Sequence, residues 1–135
     1  MASFSIGSET HNTCSDIKWL FEFLSDFKNF HRILPEDKVE NFQYTEDECS
    51  FNIKGITPMR IKMAEKKPFE YILFTSEGLG KFNFNLKVLF SGEPDTGGTC
   101  RIDLNGDLNP FILSMAQKPL TALVNTMADR LSKLK

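Results

Sequence analysis

Polar and apolar residues alternate along much of the middle of this chain. In Lys81-Phe82-Asn83-Phe84-Asn85-Leu86-Lys87-Val88 every even position is apolar and every odd one polar. Successive side chains of a strand point to opposite faces, so this run predicts a strand with one buried and one wet face. The same period recurs in Cys100, Ile102 and Leu104 against Arg101, Asp103 and Asn105. It recurs again in Cys49, Phe51 and Ile53 against Ser50 and Asn52, and in Met59, Ile61 and Met63 against Arg60 and Lys62. In all, six runs between Lys38 and Leu108 read as strands, at 38–45, 48–54, 58–65, 69–76, 80–91 and 98–108. Tyr71-Ile72-Leu73-Phe74 is apolar on both faces and does not reveal which side is buried. The links carry turn residues, as in Gly55-Ile56-Thr57-Pro58, Gly78-Leu79-Gly80 and Glu93-Pro94-Asp95-Thr96-Gly97-Gly98. Links this short favour antiparallel neighbours.

Before and after this block, apart from a short first strand, the period is helical. Residues 3–9 form a first strand with Phe4 and Ile6 on one face. Thr13-Cys14-Ser15-Asp16 then has the form of a capping box, with Thr13 as N-cap. Ile17, Leu20, Phe21 and Leu24 follow at amphipathic-helix spacing. Ser25-Asp26 opens a second short helix with Phe27, Phe30 and Ile33, and Pro35 ends it. Asn109-Pro110 is a good N-cap and first helical residue. Behind it Ile112, Ala116, Leu120, Leu123, Met127, Leu131 and Leu134 step by three or four. Pro119 stands inside this stripe and predicts a kink or break.

The expected fold is therefore α+β: a seven-stranded antiparallel sheet, two short helices after the first strand, and a long C-terminal helix. That helix is the only element long enough to cover the sheet's apolar face. The expected domain is a single one, 1–135.

This order of elements resembles the START and Bet v-type helix-grip superfamily, with its polyketide cyclases, aromatases and phosphatidylinositol-transfer domains. Phe30-His31-Arg32-Ile33-Leu34-Pro35-Glu36-Asp37-Lys38-Val39, a short helix ending in Leu-Pro before a strand, carries the likeness, as does the last helix opening at Asn109-Pro110-Phe111. The glycine-rich loop of the plant-allergen branch is not present after the second strand. The resemblance implies a cavity between sheet and helix, which in relatives holds lipids, sterols, hormones or polyketides. Fold does not settle function.

Composition narrows the function classes. Apolar residues make up 41% and Phe alone 13 of 135, enough for a core without staples. The net charge is −2 with no basic stripe, which argues against nucleic acid. Cysteines at 14, 49 and 100 are odd in number and far apart, so neither a disulfide nor a metal site is expected. Free thiols and the absence of a visible signal peptide point to the cytoplasm. The apolar runs are too short for stable membrane insertion.

No nucleophile motif, phosphate-binding glycine loop or metal-ligand spacing is present, and no cofactor is expected. His31 lies where similar folds have their cavity mouth; its bland reading is an exposed helix residue beside Arg32, and His11 reads as surface. Gly106 sits at an inward position and suggests a strand bulge. The inward set is otherwise hydrocarbon. The expected ligand-binding residues are Phe30, His31, Phe51, Ile61, Met63, Phe84, Leu86, Ile102, Leu104, Phe111, Met115 and Leu123. Phe111, Met115, Phe30 and His31 are expected to frame an entrance. The expected function is non-catalytic binding or carriage of a small apolar molecule, lipid-, sterol- or polyketide-like. A cyclase- or aromatase-type enzyme and an interaction module with a filled core are the alternatives. A homodimer is left open.

Overall fold

The computed structural model describes residues 2–53, 58–76, 83–93 and 95–135. The turns at Gly55–Thr57 and Gly78–Gly80, and the strand positions Lys81 and Phe82, lie outside them. Strand β1 (Ala2–Gly7) is followed by the two-residue β2 (His11–Asn12), helix α1 (Ile17–Leu24) and a 3-10 helix (Phe27–Ile33). Then come β3 (Val39–Tyr44), β4 (Glu48–Ile53), β5 (Pro58–Lys67), β6 (Tyr71–Ser76), β7 (Asn83–Glu93), β8 (Gly97–Leu108) and helix α2 (Pro110–Lys133). The strands form one antiparallel sheet in the order β1-β8-β7-β6-β5-β4-β3, with β2 also on β8. The expected first strand, 3–9, corresponds to β1, and β2 adds a further short pairing to β8 with His11 opposite Cys100.

Register explains the alternation. Ile6, Leu104, Leu86, Phe74 and Met63 face one another across five strands and make one inward row. Ile102, Val88 and Ile72 make the next. Among the described members of these rows only Met63 keeps partial exposure. In β6 the inward side proves to be Ile72 and Phe74, with Tyr71 and Leu73 half-buried on the other face. Phe69 stands in the turn before that strand at φ 66° and packs edge-on against Phe21, with ring centroids 5.7 Å apart.

Local chemistry departs from expectation in three places. Helix α1 is capped by Asp16, whose carboxylate accepts from the Trp19 amide at 2.6 Å. Thr13 does not cap it; its hydroxyl accepts from the Gly98 amide at 3.1 Å and its own amide donates to the Gly98 carbonyl. Pairing with β8 thus takes the side chain that the capping box would have used. Gly106 is not bulged but stays in register between Phe4 and Phe84. A Cβ there would run into the Asn83 carbonyl oxygen and lie 2.9 Å from Phe84 Cβ, so close backbone approach is what glycine permits. Irregularities lie instead in β3, where the register shifts between Glu40 and Gln43 and Asn41 takes φ 59°, and in β5, where it shifts between Met63 and Glu65.

Helix α2 packs on β8, β1 and the 3-10 helix. It opens with Asn109 accepting from the Phe111 amide at 2.9 Å, as its sequence predicts. Pro119 does not break it: one helix runs from Pro110 to Lys133. The proline lies on the exposed side, where water can take up the carbonyl it leaves without a donor.

Candidate functional site

The concave side of the sheet is the place to look for a ligand, and most of it is closed by protein. Phe27 and Phe30 project from the 3-10 helix and meet Phe74 at ring-centroid distances of 5.8 and 5.3 Å. Phe30 also stacks on Phe51 of β4 at 6.4 Å. These rings occupy the centre of the space between sheet and helices. Rings at such separations attract one another beyond their burial, so the cluster resists opening.

Among the described residues an apolar hollow lies at the side. It is a half-open groove of about 400 Å³ where the middle of α2 passes the end of β4 and the turn into β3. Ile53, Pro119, Ala122 and Leu123 supply its hydrocarbon, and Asp37, Lys38 and Lys118 its rim. Each element is positioned for a physical reason. The buried Leu120 and Val124 hold α2 to the core, which turns Pro119 and Ala122 sideways into the groove. The turn bearing Asp37 and Lys38 is tied to α2 by Arg130. Its guanidinium donates to the Leu34 carbonyl at 2.8 Å and to both Glu36 oxygens at 3.2 and 3.1 Å. These bonds, then a backbone hydrogen bond and the nearby positive charge, hold the Glu36 carboxyl below the usual carboxylate range.

The groove can hold hydrocarbon, but it offers little to activate it. Among the described residues its lining has no histidine, cysteine or hydroxyl, and no hydrogen-bonded acid–base pair. No group of three or more His, Cys, Asp or Glu among the described residues could hold a metal ion. Burial pushes the Cys49 and Cys100 thiols up to about 12, with the Glu48 charge adding to the effect at Cys49. A larger hollow of about 480 Å³ lies along β1, β8 and β7, but Ser3, Asn83, Asn85, Asn105 and Asp107 make it mainly polar.

The expected site residues separate into three groups. Phe30, Phe51, Ile61, Phe84, Leu86, Ile102 and Leu104 are buried in the closed core, with Met63 half-buried at its margin. Leu123 forms part of the groove. Phe111 and Met115 stand out in solvent at 82% and 73% exposure, while Phe30 is fully enclosed, so the four expected entrance residues share no exposed rim. His31 is exposed, its Nδ1 2.8 Å from the Lys28 carbonyl and its ring 5.7 Å from that of Phe42. Pro119, Ala122, Lys38, Lys118 and Arg130 are not among the residues expected from sequence. A signal for the first two exists: Phe111, Met115, Pro119 and Ala122 step by four, four and three, a second stripe beside the buried one.

This arrangement, an antiparallel sheet gripping a long C-terminal helix with short helices after the first strand, defines a helix-grip protein. Solved structures agree. The chain superposes on truncated norcoclaurine synthase from Thalictrum flavum with a TM-score of 0.70 at 13% identity, covering 97% of this chain and 92% of that one. A START superfamily protein from Mycobacterium smegmatis gives 0.63 at 12% identity and 96% of both chains. A protein from Thermus thermophilus gives 0.66 at 14%, covering 96% and 94%. At these identities the likeness shows the fold alone. The sequence matches no protein-family model and no curated protein. No helix among the described residues is long and apolar enough to cross a membrane.

Proposed function

We propose that this chain binds a small apolar molecule in the groove beside α2 and performs no chemistry on it. The observation that carries the reading is the lining: Ile53, Pro119, Ala122 and Leu123 around about 400 Å³, with ionisable groups only at the rim. That volume lies at the small end of the range of pockets that enclose ligands. A hydrocarbon segment would gain about 25 cal/mol for each Å² of apolar surface it buries there. Of the residues expected from sequence, Leu123 touches such a ligand directly. The core group acts as the rigid backing.

The test fills the groove without touching the core. Ala122 is half-buried, and Ala122→Trp places an indole where the ligand would lie. A fluorescent fatty-acid probe titrated into the native chain should bind saturably. The variant should bind it at least about tenfold more weakly, with an unchanged circular dichroism spectrum. A folded variant that binds the probe as the native chain does would refute the reading.

A second reading, an interaction module with a filled core, draws on the packing of Phe27, Phe30, Phe51 and Phe74. It predicts that the native chain takes up no apolar probe at all, which separates the two.

A further inference from the structure

The exposed face of α2 changes character halfway along. Residues three or four apart on a helix share a face. On the solvent side the second half carries Asp129 and Lys133, paired at 3.1 Å, as a solvated face should. The first half carries Phe111 and Met115, exposed by 82% and 73%, beside Ile112 at 43%. From Asn109 to Gln117 no residue is charged, and Lys118 is the one charged residue between Asp107 and Asp129. The first helical turn has no acidic side chain. Single exposed apolar residues need no explanation, but three large ones together on an uncharged helix tip do.

We propose that the first two turns of α2 dock on the surface of a lipid bilayer, with Phe111, Ile112 and Met115 entering the boundary between headgroups and acyl chains. Three features favour lipid over a protein partner or a second copy. The side chains stand exposed on the first turns of a helix, and a fluid interface needs no complementary shape to receive them. The surrounding polar groups, Ser114, Gln117 and Asn109, are neutral, so little charge is desolvated on entry. The flanking cation Lys118 suits anionic headgroups, and among the described residues it has no ion-pair partner. The nearest acid in sequence, Asp107, precedes the N-cap and accepts from the Ser3 hydroxyl at 2.9 Å, and Asp37 shares the groove rim with Lys118. The stripe runs on from Phe111 and Met115 through Lys118 to Pro119 and Ala122, so the docked helix would lay the groove against the lipid. Docking stands without the ligand reading, and the two can fail separately.

The experiment is sedimentation of the full chain with phosphatidylcholine vesicles, with and without a quarter of phosphatidylglycerol. The native chain should pellet with both and more strongly with the anionic mixture. Phe111→Ser with Met115→Ser should weaken partitioning by roughly 100-fold, from the apolar burial lost. Both positions are exposed, so the thermal midpoint should hold. Lys118→Ala should erase the preference for anionic vesicles while leaving binding to the neutral ones. Ala122→Trp adds an indole on the face laid against the lipid, so it should pellet at least as strongly as the native chain even if it loses the probe. A native chain that stays in the supernatant, or a double variant that pellets undiminished, overturns the proposal. So does a native dimer that the double variant splits, which would assign the face to a second copy.

Discussion

Each of the three cysteines takes its reactivity from its place in the sheet or outside it. Cys49 and Cys100 alternate inward on β4 and β8 and are buried, while Cys14 precedes α1 and is exposed. Thiolate is the reactive form, and at about 12 the two buried thiols are protonated at any ordinary pH. A disulfide-exchange reagent at pH 8 should therefore label Cys14 rapidly in the native chain, and Cys49 and Cys100 only on unfolding. Rapid release of more than one thiol from folded protein would contradict the burial. Phe30 makes the same point about position. Its aromatic character was visible in the sequence, and so was its helix. Whether it lines a cavity or fills one depends on Phe27 of its own helix and on Phe51 and Phe74, which arrive from other elements.

Among the elements, α2 supplies both a wall of the groove and the exposed apolar tip, and Pro119 is its weak point. The proline cannot donate to the Met115 carbonyl four residues back. Thr121 donates its hydroxyl to the Gln117 carbonyl at 2.7 Å and Ser114 to that of Phe111 at 2.9 Å, so backbone carbonyls near this point draw on side chains. Beyond residue 120 the helix is pinned by Leu120, Leu123, Val124, Met127, Ala128 and Leu131. Before it, only Leu113 and Ala116 pack inward. Amide exchange should therefore be faster over 111–118 than over 120–131. Pro119→Ala should restore the missing bond, slow exchange in the first half, and raise stability by about 1–3 kcal/mol. Equal protection along both halves of the native helix would show that the proline costs the helix nothing. The sequence identified the proline but not its consequence. A break depends on whether the freed carbonyl faces water or core, and that orientation follows from which stripe the sheet buries.

At the scale of the whole molecule, the contact between Arg130 and the Leu34–Glu36 segment joins the last helix to the turn that forms the groove rim. Glu36 is depressed below its ordinary value of 4.5 by this contact. A depressed carboxylate contributes stability above its unfolded value, lost as the pH falls through the lower folded-state value. The thermal midpoint should therefore decline as the pH drops below 4.5, and Glu36→Gln should flatten that part of the profile while leaving neutral pH little changed. Glu36 is largely exposed and screened by water, so the effect is small. A variant profile that parallels the native one at every pH would mean that the contact adds no stability. In chain terms the pair spans 94 residues, and nothing local to either residue announces the other.

The sequence alone determined the period of each segment, and with it the elements and the helix-grip order. Alternation in β7 and β8 and the stripe from Ile112 to Leu134 are local signals, because a side chain's face follows from backbone geometry within a few residues. It also determined which faces are apolar, since burial selects them strand by strand. Tertiary structure decided what those apolar faces enclose. Whether Phe27 and Phe30 leave a cavity or fill it is a matter of volumes summed across elements distant in sequence. The same holds for the second stripe of α2. Phe111, Met115, Pro119 and Ala122 are no less apolar than their neighbours. They become groove and exposed tip only because the sheet has one inner surface, and Ala116, Leu120, Val124 and Met127 already cover it.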